Sequence, residues 1–136
     1  MKINTTNDEL YSLAVAAREK SYCPYSNISV GAALLCASGK VYTGANIENA
    51  AYSPSICAER VAIFKAIDAG ERDFTAIAVA GGRLGEEPSR TFSPCGVCRQ
   101  IMAEFCNGEF KIIFGKGYEE KFADLLPFGF NKENLK

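Results

Sequence analysis

Ile28-Ser29-Val30-Gly31-Ala32-Ala33-Leu34-Leu35-Cys36 is the run on which the fold turns. A strand with one wet face alternates apolar and polar residues, and this run barely alternates, so it reads as a strand covered on both sides. That points to a helix-sheet-helix sandwich. Val41 to Ala45 reads as its hairpin partner, reached through the short Gly-containing loop Ala37-Ser38-Gly39-Lys40.

Outward from this hairpin the pattern alternates. Before it, the spacing of Leu10, Leu13, Ala14 and Ala17 predicts an amphipathic helix from about Asn7 to Lys20, capped by Thr6 or Thr5. Pro24 then breaks the helical pattern. After the hairpin, a polar stretch from Gly44 to Ser55 leads into a helix opening at Cys57 and ending near Gly70. Phe74 to Gly81 reads as a third strand, a helix opens at Cys98, and Phe110 to Phe114 reads as a fourth strand. Gly115 to Glu119 reads as a turn, and Phe122 to Leu126 as a helical turn stopped by Pro127. The order β, β, α, β, α, β marks an α/β protein in which ligands collect at the carboxyl ends of strands.

A chain of 136 residues suits a single domain spanning residues 1–136. Fifteen Lys and Arg balance sixteen Asp and Glu, with no five-residue run of either sign, so a nucleic acid polymer is a disfavoured partner. Residues Met1 to Asp8 contain no apolar leader core, and no stretch is long and apolar enough for a membrane span. A cytoplasmic protein is therefore expected, and its six cysteines read as metal ligands or small core residues before disulfides. Cys23, Cys36 and Cys106 belong to the second group. No histidine is present, so a Ser-His or Cys-His couple and a histidine-ligated metal are excluded.

Cys57-Ala58-Glu59 and Pro94-Cys95-Gly96-Val97-Cys98 carry the chemistry. Both groups lie at expected helix starts, where unpaired N–H groups and the helix dipole favour thiolates. Taken alone, Cys95-x-x-Cys98 fits a redox pair or half of a structural zinc ribbon as well as a catalytic site. With Cys57 and Glu59 added, three thiolates make an open zinc site with an acid/base group two residues from one ligand. Three thiolates on Zn²⁺ leave a net negative centre, which calls for nearby cations. Arg60 is the first candidate to donate to the thiolates and Arg99 the second.

These residues also carry a resemblance. Pro24-Tyr25-Ser26 with Val30-Gly31-Ala32, Gly44-Ala45-Asn46-Ile47-Glu48-Asn49-Ala50, Cys57-Ala58-Glu59-Arg60 and Ser93-Pro94-Cys95-Gly96-Val97-Cys98-Arg99-Gln100 together resemble the small zinc-dependent cytidine deaminases of pyrimidine salvage. The likeness runs from about Pro24 to Leu135. It implies a mixed central sheet of about five strands in a three-layer sandwich, one Zn²⁺ per chain on Cys57, Cys95 and Cys98, and hydrolysis at C4 of cytosine with Glu59 moving protons. It further implies substrate contacts at Asn46 and Glu48 on the ribose, at Ala58, and at Ile28 on the base. Ile28 is a departure, because family members often carry there a phenylalanine that packs on the pyrimidine. Phe130 would reach a neighbouring subunit's site in a homotetramer, with Tyr25 and Tyr52 near such boundaries. A deaminase of a nucleoside-like antibiotic such as blasticidin S, and a non-catalytic zinc-stabilised module, are the competing readings.

Overall fold

The computed structural model describes residues 6–136. Residues 1–5, with the alternative cap Thr5 and most of the segment read for a leader, lie outside the described residues. Helix α1, Asn7–Ala17, is capped by Thr6, whose Oγ1 accepts from the Glu9 N–H at 3.1 Å. The expected helix reaches Lys20, but its last residues, Arg18–Lys20, tighten into a 3₁₀ turn. Arg18 is turned inward there, donating to the Ser29 carbonyl and hydroxyl and to the carbonyls of Glu86 and Arg83.

Strands β1, Ile28–Cys36, and β2, Val41–Ala45, form the expected antiparallel hairpin. Helix α2, Ala58–Asp68, leads to β3, Phe74–Arg83, and helix α3, Gly96–Phe105, leads to β4, Lys111–Gly115. A short strand β5, Tyr118–Lys121, and a single helical turn α4, Phe122–Leu125, follow. Two boundaries move from their expected places. Helix α3 begins at Gly96, before Cys98, and the segment read as a turn, Gly115 to Glu119, runs into β5 at Tyr118. Strand β5 escapes an alternation test because Glu119, Glu120 and Lys121 are all exposed on an edge.

The sheet order is β2-β1-β3-β4-β5, with β3 and β4 parallel and the other neighbours antiparallel. β1 is buried on both faces, as its lack of alternation predicts. Val30, Ala32, Leu34 and Cys36 pack with Ala62, Ile63 and Ala66 of α2 and Met102 of α3, whereas Ala33 packs with Leu10 and Ala14 of α1. The result is a three-layer sandwich with α1 on one face and α2 and α3 on the other.

The placement of α2 and α3 follows from connectivity. Both join parallel strands, β2 to β3 and β3 to β4, and both move the same way across the sheet. Right-handed crossovers then put both helices on one face, with their N-termini at the same end of the sheet. Among the described residues no helix is long and apolar enough to cross a membrane.

Gly31 lets α1 lie directly on β1. A methyl group there would sit 2.0 Å from the Ala14 carbonyl oxygen. Gly31→Ala should lower unfolding stability by about 1–3 kcal/mol through overpacking; an unchanged denaturation midpoint would refute this close packing.

Candidate metal centre

Cys57 and Cys95 occupy equivalent places, each the N-cap of its helix with extended backbone and a side chain that makes no capping bond. Cys98 lies in the first turn of α3 and is fully buried. Because the two helix starts share one end of the sheet, the three sulfurs converge. Cys57 Sγ and Cys98 Sγ each lie 3.6 Å from Cys95 Sγ, and all three fall within 4.8 Å of one another. Tetrahedral Zn²⁺ with bonds of about 2.3 Å places its sulfurs about 3.8 Å apart, so the donor set fits that ion in type and spacing. Among the described residues no other group of three or more potential ligands comes together in this way.

The charges around the sulfurs favour a thiolate at Cys57. Cys57 is pulled down to about 5, first by a hydrogen bond from Cys98, with the Arg60 guanidinium and Cys95 adding to it. Cys98, the partner that keeps the proton, is pushed up by that same bond and by burial. Arg60 Nη2 donates to Cys57 Sγ at 3.5 Å. A divalent cation among these sulfurs would favour the thiolate form of all three.

Arg99 does not share that role. Its Nε donates to the Pro94 carbonyl at 2.8 Å and its Nη1 to the Leu125 carbonyl at 2.7 Å. The second cation proposed for the thiolates is instead a brace between backbone segments.

Glu59 follows Ala58 in the first turn of α2 and is only 3% exposed. Burial pushes its carboxyl up to about 7, and the Cys57 thiolate adds to the shift. A carboxyl so placed exchanges protons readily near neutral pH.

The strand-like segment carrying Asn46 and Glu48 is stitched to the cysteine segment. Ile47 and Ile56 exchange both backbone hydrogen bonds, and Ile56 directly precedes Cys57. Asn46 is mainly a brace: its Oδ1 accepts from Ser21 Oγ at 2.6 Å and the Val30 N–H at 2.8 Å, while its Nδ2 donates to the Ile28 carbonyl at 2.9 Å. Ile28 is thereby fixed at the start of β1. Glu48 accepts from the Tyr25 and Ser26 N–H groups and from Ser26 Oγ, and these bonds hold its carboxyl below its usual range, the Ser26 hydroxyl most of all. Ser26, to which the sequence alone gives no task, is thus the residue that holds the Glu48 carboxylate.

Glu48, Tyr25, Ser26, Tyr52 and Ser55 line a cavity of about 260 Å³. Tyr25 and Tyr52 meet edge to face there, their ring centroids 6.4 Å apart. Phe130 stays more than half exposed, with its carbonyl held by Gln100 Nε2 at 2.9 Å. A larger cavity of about 690 Å³, lined by Tyr11, Arg90 and Tyr118 among others, lies against α1, across the sheet from the thiols.

A family model for the cytidine and deoxycytidylate deaminase zinc-binding region matches residues 4–115. The cytidine deaminase of Sporosarcina psychrophila is 47% identical over 132 residues, covering 94% of this chain and 93% of that protein. The cytidine deaminase of Halalkalibacterium halodurans is 46% identical over 126 residues, covering 90% and 92%. The crystal structure of cytidine deaminase from Burkholderia pseudomallei superposes with a TM-score of 0.83 at 44% identity, covering 92% of this chain and 99% of that one.

Metal analysis of purified cysteine variants tests the centre. Alanine at Cys57, Cys95 or Cys98 should each abolish stoichiometric zinc, whereas Cys106→Ala, at a thiol that burial pushes up to about 12, should leave zinc content unchanged. Equal loss from Cys106→Ala would refute the three-cysteine assignment.

Proposed function

The chain belongs to the cytidine and deoxycytidylate deaminase family, and on that premise we propose that it hydrolyses cytidine and deoxycytidine to uridine and deoxyuridine, releasing ammonia, as a zinc-dependent enzyme. The observation that carries this reading is the buried Glu59 carboxyl beside three converging thiols.

Cys57, Cys95 and Cys98 would hold one zinc ion per chain. When bound, the ion supplies a Lewis acid that makes water nucleophilic at neutral pH. Glu59 takes a proton from the attacking water and delivers protons to N3 and to the departing amino group, a role suited to a carboxyl poised near neutrality. Net consumption is one water, and the C4 amino group leaves as ammonia. Arg60 offsets the negative charge of the thiolates.

The free hydrogen-bonding capacity of Asn46 and Glu48 fits a hydroxyl. Both lone pairs of Asn46 Oδ1 are engaged and one Nδ2 hydrogen remains, while Glu48 uses three of roughly four carboxylate acceptor positions. One donor and one acceptor are left, matching a ribose hydroxyl that both accepts and donates. Ala58 at the start of α2 is fully buried in the core, so its side chain packs there and only its backbone is offered to the substrate, while Ile28 gives the base apolar contact without ring stacking.

A free nucleoside substrate suits pyrimidine salvage, and this reading takes the reaction as cytoplasmic, with the whole chain acting as one catalytic domain. The assembly is a homotetramer with sites at subunit boundaries, a reading carried over from the family likeness, and it would cover side chains such as Tyr25, Tyr52 and Phe130 that are exposed in the single chain. In that assembly Phe130 is the residue that enters a neighbour's site.

Loss of cytidine absorbance, with zinc content measured on the same samples, tests the mechanism. Glu59→Gln should retain zinc while kcat falls about 10²–10⁴-fold; near-normal turnover would remove Glu59 from its role. Arg60→Gln leaves the centre more negative, so ionising the attacking water becomes harder and the activity should appear at higher pH. An unchanged pH profile would contradict charge tuning by Arg60. Preference for free cytosine over cytidine would sink the ribose assignment.

A further inference from the structure

We propose that Arg99 is a positioning residue for the ligand Cys95, locking the Pro94–Cys95 peptide through its guanidinium and tying that peptide to the C-terminal segment at Leu125. The inference rests on the reading of the three cysteines as a zinc centre, and it concerns how one of them is held.

The three thiols are not equally secured. Cys98 is packed into the core between α2 and α3, and Cys57 follows a segment paired through Ile47 and Ile56 and receives Arg60. Cys95 is the exposed member. The Gly96 and Val97 that follow it are also exposed, and its side chain makes no cap bond. Packing therefore does little to aim its Cα–Cβ bond, and the backbone must do so.

Arg99 controls that backbone from both sides. Pro94 is fully buried, and its carbonyl, outside the ladder of α3, receives a charge-assisted bond from Arg99 Nε at 2.8 Å. The Pro94 carbonyl and the Cys95 nitrogen share one peptide plane, so this bond fixes the axis about which Cys95 turns. The Arg99 backbone N–H meanwhile donates to the Cys95 carbonyl at 3.0 Å. The guanidinium has a second task, since its Nη1 takes the Leu125 carbonyl at the end of α4, where a four-residue helix has few partners of its own. Gln100, the next residue, holds the Phe130 carbonyl. The two residues after Cys98 thus clasp the C-terminal segment at two points, but only Arg99 also touches the peptide of a metal ligand.

Zinc release from the loaded protein to excess chromogenic chelator tests this without reference to turnover. Arg99→Ala should release zinc about 10–100-fold faster, the range typical when a group orienting a ligand is lost. Arg99→Lys keeps the charge and the stem but cannot fork between two carbonyls, so it should also release faster, and it decides the question should Arg99→Ala fail to fold. Gln100→Ala loses only the Phe130 contact and should release at the wild-type rate. Gly31→Ala, destabilised at a distance from the thiols, should do the same, which separates positioning from general loosening. Wild-type release rates in folded Arg99 variants, or equal acceleration by Gln100→Ala or Gly31→Ala, would overturn the proposal alone. Wild-type protein that takes up no zinc would overturn the metal-centre reading and this inference with it.

Discussion

Everything at the centre depends on two crossovers of the same hand that travel in the same direction. β2-α2-β3 and β3-α3-β4 deliver two helix N-termini to one end of the sheet, so residues far apart in sequence reach a common point, each at the close of a long irregular connection, 46–57 and 84–95. Close backbone approach supports this arrangement, since a methyl group at Gly44 would lie 2.6 Å from the Ala58 carbonyl oxygen of α2. β1 and β3 are buried almost throughout, and Cys57 and Cys95 at the N-caps with Cys98 in the first turn of α3 sit on helices packed against them.

Function has displaced stability at these turns. Ser, Thr, Asp or Asn at an N-cap satisfies an orphan N–H and contributes about 1 kcal/mol, yet α2 and α3 place cysteine there and form no side-chain cap. The same orphan donors favour negative charge, so what weakens the helix start prepares it for thiolates and a cation. With no histidine in the chain, positive charge beside the sulfurs must come from elsewhere, and Arg60 is the cation that donates to Cys57, at 3.5 Å. Glu59 shows the complementary use of burial, which keeps a carboxyl protonatable that water would leave ionised.

The parts legible in the sequence were those where a residue's type states its environment. Unbroken apolarity from Val30 to Cys36 announced a strand covered on both faces, and three cysteines with a glutamate announced an open metal site. Edge strand β5 was hidden because solvent-exposed Glu119, Glu120 and Lys121 resemble a turn. Arg99 was misread for a geometric reason: adjacency to Cys98 in sequence says nothing about which way a helical side chain points, and its guanidinium turns toward backbone carbonyls. Asn46 and Glu48 were identified by family likeness, but only the folded chain shows that most of their hydrogen-bonding capacity braces Ile28, Tyr25 and Ser26.

The convergence of the two helix starts also has a topological meaning. An ion on Cys57, Cys95 and Cys98 ties off the stretch of chain that contains α2 and the central strand β3. By the loop-entropy relation used for covalent cross-links, a tie across a span of roughly 40 residues restricts the unfolded chain by about 4 kcal/mol. Metal depletion therefore removes the reactive centre and a knot in the chain together. The same three side chains that would prepare the reactive centre would thereby also fasten the two halves of the chain to each other.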